Sequence, residues 1–274
     1  MPKMKITKDT TLCISVATRP GNFGTILMNA AFEKNDLDFL YKAMQVKEGQ
    51  LERALAGVRA LGIRGCGVSM PFKMEAAELV DSLDPWAEKI GAINTIVNTN
   101  GNLKGYNTDA YGAYQVLKAI KGLKSKSVIM VGAGGVARAI CAALIKIGVK
   151  DVTIVNKDKV EAESLAERWK FKTALWGRHE VAEADLFINA TPIGMKPNSG
   201  QSPLTEKAVD NYKIIMDVVI YPNETKLMKL AKKQKKRLIQ GLTMSLNQSA
   251  RQFELYTDKK APIGLMKELI TSVK

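Results

Sequence analysis

Short runs of β-branched and apolar residues alternate along this chain with longer stretches in which apolar positions recur every three or four residues. Residues 11–17 read as a buried strand, followed by a loop, Thr18-Arg19-Pro20-Gly21-Asn22-Phe23-Gly24, and a helix over 25–35. Residues 39–46, 51–61 and 65–69 continue as strand, helix and strand, and Met74, Ala77, Leu79 and Val80 mark a further helix. Such βα alternation predicts an open α/β unit in the first hundred residues, with ligands at the carboxyl ends of its strands. Ser69 and Lys73 then lie where a site should be. Two polar clusters, Gly91-Ala92-Ile93-Asn94-Thr95 and Gly105-Tyr106-Asn107-Thr108-Asp109, close later apolar segments. Together they offer an ammonium, a carboxylate and two amides, enough to fix the hydroxyls of a small polyol while Lys73 and Asp109 handle a proton. The competing reading of these residues is a surface ion pair and amides that cap strand-end backbone.

A second pattern is sharper. Residues 128–131 form a short β-branched run that breaks at Gly132-Ala133-Gly134-Gly135. A helical stripe follows (Val136, Ile140, Ala143, Leu144, Ile147), closed by Gly148, and then a second apolar run at 152–155. Strand, glycine turn, helix and strand within about 30 residues make a βαβ unit of the dinucleotide-binding kind. Glycines there let backbone approach a pyrophosphate, and the helix start points unpaired N–H groups at it. The third glycine of the usual pattern is Ala137, small enough for close helix–strand packing. The alternative is a tight βα turn in some other α/β protein.

The end of the second strand speaks to which dinucleotide binds. An enzyme for NAD usually has Asp or Glu there for the ribose 2′-hydroxyl, whereas this chain has Asn156, Lys157, Asp158 and Lys159. An amide flanked by two ammonium groups favours a 2′-phosphate and hence NADP; Asp158 turned inward would argue the other way, and a solvated turn is the plain alternative. Thr191 and Gly194, in a loop after an apolar run at 186–190, are expected to line the cofactor; Met195 is a candidate beside them, although methionines such as Met195 and Met244 are more often core filler, and Gly241 is expected to allow close backbone approach near the nicotinamide.

Composition narrows the partners. The chain has 274 residues, 46% of them hydrophobic, enough for two ordinary cores. No apolar run approaches membrane-spanning length and MPKMKITKDT lacks a signal peptide's apolar core, so the expectation is a cytoplasmic protein with no membrane partner. Three scattered cysteines, Cys13, Cys66 and Cys141, read as reduced core thiols, and a single histidine, His179, expected in a solvated position, leaves little material for a metal site. The formal charge of +14 raises nucleic acid as a partner, but the one dense run, Lys232-Lys233-Gln234-Lys235-Lys236-Arg237, falls at a helix end without any accompanying nucleic-acid motif. A basic surface equally draws in an anionic cofactor and an acidic substrate, so no nucleic acid is expected.

These same segments resemble the shikimate dehydrogenase family along nearly the whole chain. VSMPFK resembles the family's V-T-V-P-F-K stretch, GAINTIV its G-A-x-N-T segment and GYNTDAYG its G-x-N-T-D-G-x-G signature; VGAGGVARA resembles its nucleotide turn, INATPIGM its N-A-T-P-x-G-M segment, and GLTMSLNQSARQFELYT its closing G-x-x-M-L-x-x-Q-A segment. The resemblance implies an α/β protein of two domains: a discontinuous substrate domain over 1–105 with 241–274, and a Rossmann-type NADP-binding domain over 106–240. It implies that Lys73 and Asp109 are catalytic, that Asn94 and Gln248 hold the substrate with Tyr221 near the same pocket, and that Ser69 replaces a substrate-contacting threonine. The turn Gly132, Ala133, Gly134, Gly135, Val136 and Ala137 would cradle the cofactor. The implied reaction is reversible hydride transfer between NADP and a small acidic cyclic polyol, by a monomer or homodimer.

Two departures qualify this. The family's Ser-x-Ser-Pro element, whose hydroxyls bind the substrate carboxylate, aligns with Asn22, Gly24 and Thr25. Glycine donates nothing, and a hydrogen bond to a charged group is worth about 1.5–3 kcal/mol, so weak activity on shikimate itself is expected. Arg19, Ser15 and Thr18 are nearby replacements. At the cofactor turn, Asn156-Lys157-Asp158 stands for the family's Asn-Arg-Thr, which keeps the charge but not the planar fork.

Overall fold

A computed structural model describes residues 6–272 and divides the chain into two compact units. The first runs to Thr108 and resumes at Gln248; the second is Asp109–Asn247. The first begins with β1 (Thr11–Ala17), α1 (Phe23–Lys34), β2 (Phe39–Gln45), α2 (Leu51–Ala60) and β3 (Gly65–Val68). The single-turn α3 (Glu75–Glu78), β4 (Ser82–Leu83), α4 (Pro85–Ile90), β5 (Thr95–Thr99) and β6 (Asn102–Tyr106) complete it before α5 (Thr108–Leu117). The sheet order is β2-β1-β3-β5-β6-β4. β1 pairs in parallel with β2 and β3, whereas β5 runs antiparallel to β3 and β6.

The βα alternation expected for this unit therefore stops at β3 and becomes a hairpin. Its cause is Asn100-Gly101, whose φ values of 52° and 86° both lie in the left-handed region that a tight two-residue hairpin demands. The helix expected around Met74–Val80 is likewise cut to one turn. Asp81 N–H bonds Leu103 O (2.9 Å), and its carboxylate accepts from Leu103 N–H (2.6 Å) and Arg59, which draws the chain out into β4 beside β6. One face of the sheet carries a core of Val16, Leu55, Cys66, Val68, Phe72, Ile93 and Ile96.

The second unit continues with β7 (Val128–Val131), α6 (Gly135–Ile147), β8 (Val152–Val155), α7 (Lys159–Trp169), β9 (Lys172–Ala174), β10 (Ala184–Asn189), α8 (Glu206–Val209), β11 (Tyr212–Asp217), α9 (Lys226–Lys233) and β12 (Arg237–Gln240). All six strands are parallel, in the order β12-β11-β10-β7-β8-β9. Counted from β7, that is the 3-2-1-4-5-6 order of a dinucleotide-binding sheet, and the strand order reverses between β7 and β10, where such sheets open a crevice for ligand. α10 (Gly241–Thr257) then leads back to the first unit, where α11 (Ile263–Ser272) ends the described chain. The return is packed: Phe253 of α10 lies 5.5 Å, ring to ring, from Phe32 of α1.

Among the described residues no helix is long and apolar enough to cross a membrane, and no group of three or more His, Cys, Asp or Glu could hold a metal ion. The three cysteines are buried free thiols; burial pushes Cys13 and Cys66 up to about 12. The dense basic run is largely paired within its own unit, with Lys232 on Glu224, Lys233 on Glu206 and Lys236 on Asp210.

Candidate active site

In the first unit the two polar clusters and the closing helix meet in one hydrogen-bond knot. Asn94 is buried, and its side-chain oxygen accepts from Thr108 N–H (2.8 Å), Thr108 Oγ1 (3.1 Å) and Thr95 Oγ1 (3.1 Å). From α10, Gln248 Nε2 donates to Thr108 Oγ1 (3.1 Å), while Gln252 Nε2 donates to Thr95 Oγ1 (2.9 Å). The turn carrying Lys73 is tied to the same place: Phe72 is buried, Val68 N–H bonds Asn94 O and Ile93 N–H bonds Lys73 O, each at 2.8 Å. Such mutual bonding is what buried polar groups require, and it fixes the backbone from which Lys73 projects. Asp109 follows Thr108 in the chain as the first acidic residue of α5. Asn107 serves the fold, donating to Ala92 O (2.9 Å). Ser69 and Asn22 are exposed, Asn22 at the start of α1 without capping it through its side chain.

In the second unit Gly132 follows β7 with φ 109°, and a Cβ there would lie 2.7 Å from Ala190 O after β10, so only glycine lets the two strand ends approach. Ala133 and Ala137 are buried. Nothing lies within 4 Å of where a Cβ on Gly134 or Gly135 would sit, and α6 receives no side-chain cap at Gly134. Its first-turn N–H groups, with Val136 among them, thus receive no side-chain cap, which is the arrangement that suits a pyrophosphate. Asn189 at the end of β10 organises the next loop: its oxygen accepts from Thr191 N–H (3.1 Å) and Oγ1 (2.6 Å), and its Nδ2 donates to Ile193 O and to Asp217. Asp217 is wholly buried, takes further bonds from Val219 N–H (3.1 Å) and Thr225 Oγ1 (2.6 Å), and burial raises its pKa. Gly194 has φ 95°, and Met195 is 43% exposed. Gly241 is constrained by its own backbone neighbour, since a Cβ there would collide with Val218 O. Tyr221 is occupied by Lys196, whose ammonium lies 4.4 Å from the ring centroid and 3.2 Å from the hydroxyl.

Comparison with known proteins fits this geometry. Residues 24–96 match the model of the shikimate dehydrogenase substrate binding domain, 115–217 that of shikimate / quinate 5-dehydrogenase, and 241–271 that of the shikimate 5′-dehydrogenase C-terminal domain. A shikimate dehydrogenase-like protein of Haemophilus influenzae is 38% identical over 265 residues, 96% of each chain. The chain belongs to the shikimate dehydrogenase family. Another relative, the shikimate dehydrogenase (NADP(+)) of Caldanaerobacter subterraneus, is 38% identical over 85% of this chain and 86% of its own. The Listeria monocytogenes shikimate 5-dehydrogenase, solved with shikimate and NAD, superposes with a TM-score of 0.90 at 36% identity, over 97% of this chain and 98% of its own. The ligand-free 5-ketofructose reductase of a Gluconobacter strain does so with a TM-score of 0.89 at 28% identity, over 98% and 100%. The family is one of NAD(P)-dependent oxidoreductases, and its members bind NADP or NAD.

Within the family's cofactor turn, the Asp158 side chain accepts from Glu161 N–H (3.1 Å) as the N-cap of α7. Asn156 donates to Asp158 O and Glu161, and Lys159 pairs with Glu163 at 3.5 Å. Lys157 lies over the Trp176 ring, 5.3 Å from its centroid. One expectation is corrected here. His179 is buried rather than solvated, with Nε2 3.0 Å from Pro203 O and its ring against Trp176 and Phe187, and burial lowers its pKa. A lone histidine in a polar segment carries no periodic signal that could have placed it. Thr95, Thr108 and Gln252 were also missed as parts of the knot. For Gln252 the signal was present, because it stands four residues after Gln248 and so shares its helix face.

Proposed function

We propose that this family member moves a hydride reversibly between NADP and a secondary alcohol of a small cyclic hydroxy acid of the shikimate/3-dehydroshikimate kind, with weak activity on shikimate itself. The observation that carries the reading is the Asn94–Thr108–Gln248 knot, which joins the backbone holding Lys73 to the residue preceding Asp109. In this reading residues 1–105 with 241–274 serve the substrate and 106–240 the cofactor. The nicotinamide, when bound, supplies hydride acceptance or donation. Lys73, partnered by Asp109, takes the hydroxyl proton during oxidation and returns one to the carbonyl oxygen during reduction. With its oxygen committed to Thr108 and Thr95, Asn94 offers its amide N–H groups to substrate hydroxyls, with Gln248, Ser69 and Asn22 as further substrate-binding residues of the first unit; Tyr221 is assigned to substrate binding on the resemblance alone.

Gly132, Ala133, Gly134, Gly135, Val136 and Ala137 hold the pyrophosphate, Asn156, Lys157 and Lys159 the 2′-phosphate end, and Thr191, Gly194, Met195 and Gly241 the nicotinamide end. The free space beside Gly134 and Gly135, and the engagement of one Asp158 oxygen in capping α7, support a phosphorylated cofactor there.

The test is kcat/KM for a panel of cyclic hydroxy acids, shikimate and quinate included, with NADP and NAD in parallel, for wild type and Lys73→Ala. The expected result is NADP preference and loss of turnover in the variant. Equal residual turnover in both proteins would instead favour a non-catalytic, NADP-binding role. The panel includes a neutral sugar ketone, assayed in the reductive direction with NADPH and NADH, because Gly24 lacks a carboxylate donor and a protein of the same fold is a 5-ketofructose reductase.

A further inference from the structure

Beside the glycine turn, at the carboxyl ends of β8 and β9, lies a cleft of about 480 Å³ lined by Asn156, Lys157, Lys159, Thr173, Leu175 and Trp176. β8 neighbours β7, so the cleft stands one strand over from the pyrophosphate cradle, where the adenosine half of a dinucleotide extends. The polar groups around it are unequally available. Asp158 caps α7, the Asn156 amide nitrogen is bonded to Asp158 O and Glu161, and Lys159 leans on Glu163. Lys157 alone among these is drawn to an aromatic face, that of Trp176. The indole is a firm support. It packs 4.7 Å, centroid to centroid, on the ring of buried His179, which stacks in turn on buried Phe187, yet it keeps 37% of its own surface exposed.

A lysine is a flexible point charge, and where an arginine fork would hold a phosphate by shape, a lysine needs something else to hold it in place. Resting on the NADP reading above, we propose that Trp176 is a specificity-determining positioning residue: its ring keeps the Lys157 ammonium inside the cleft, ready for a ribose 2′-phosphate, so that the pair selects 2′-phosphorylated over unphosphorylated adenine nucleotides. Without the indole, the same ammonium would spread over many solvated rotamers.

The experiment is calorimetric titration of the full chain with adenosine 2′,5′-bisphosphate and with 5′-AMP, for wild type, Trp176→Phe, Trp176→Leu, Lys157→Met and the Trp176→Leu/Lys157→Met double variant. Wild type is expected to prefer the bisphosphate. An exposed cation–π contact is worth roughly two- to fivefold, so Trp176→Leu should cut the preference by about that factor, Trp176→Phe should keep most of it, and 5′-AMP affinity should not change. Once Lys157 is methionine, Trp176→Leu should make no further difference, because the two act as a unit. Equal weakening of both nucleotides by Trp176→Leu would mean that the indole merely stacks on adenine and would overturn the proposal, as would additive losses in the double variant. A wild type without preference for the bisphosphate would remove the NADP reading itself. A preference that survives Trp176→Leu intact would sink this inference alone.

Discussion

Gly24→Ser is the substitution that most directly asks whether the departure from the family's Ser-x-Ser-Pro element limits the proposed activity on shikimate. Gly24 is the second residue of α1, and its φ lies outside the left-handed region, so its backbone suits any residue. A Cβ there meets Tyr41 Cε1 at 3.4 Å and the Tyr41 hydroxyl oxygen at 3.6 Å, ordinary van der Waals contact that requires no neighbour to move. Serine is also the better helix former by a few tenths of a kcal/mol, so the variant should melt no lower than wild type. In the proposed reading, the new hydroxyl would restore the second serine of the family's Ser-x-Ser-Pro element, which the resemblance assigns to the substrate carboxylate. One hydrogen bond to a charged group is worth about 1.5–3 kcal/mol, which is about 10- to 150-fold in kcat/KM. The Tyr41 hydroxyl is close enough to compete for the serine proton, which points to the lower end, about tenfold. The assay is kcat/KM with NADP for shikimate and for a matched cyclic polyol without a carboxylate. A gain confined to the acid is expected. No gain for shikimate at an unchanged melting temperature, or an equal gain for both substrates, would refute the reasoning.

Three further outcomes follow from buried groups in the second unit. Asp217→Ala leaves the donors of Asn189, Val219 and Thr225 without their shared acceptor; with about 1 kcal/mol or more for each buried donor left unmade, a loss of at least about 3 kcal/mol in urea unfolding is expected, against about 1–3 kcal/mol for Asp217→Asn, which keeps one acceptor oxygen, and equal losses would show that the carboxylate is not the hub of that loop. Gly132→Ala forces a side chain into φ 109° and against Ala190 O, so it should cost about 1–3 kcal/mol from backbone strain alone and weaken NADP binding; a variant that binds NADP as wild type does would contradict the close approach of the two strand ends. His179 has its pKa lowered by burial, so the unfolded chain takes up the proton first as pH falls. Stability is complete above the unfolded value near 6.5 and declines below it. Urea midpoints between pH 7.5 and 5.5 should therefore drop more for wild type than for His179→Gln, and parallel profiles would show the imidazole to be accessible in the folded state.

The amino-acid pattern alone determined the βα start of the first unit, the glycine turn with its flanking strands, and the stretches that carry the family's motifs. Those features are local: strand and helix periods, a turn that only glycines permit, and polar residues at strand ends are each written within a few dozen consecutive residues. The hairpin at Asn100-Gly101 was equally local and was overlooked. What tertiary structure decided is which polar groups share a partner. Asn94, Thr108 and Gln248 lie up to 154 residues apart in sequence, yet close around one oxygen and one hydroxyl. The helix-capping role of the Asp158 carboxylate became visible only with α7 in place, and His179 read as solvated until folding buried it against Trp176 and Phe187. In each case one residue's environment is built by strands and helices that meet only when the sheet forms. Periodicity reports which face of an element is apolar, but the partner that satisfies a buried polar atom is set by packing between elements distant in the chain.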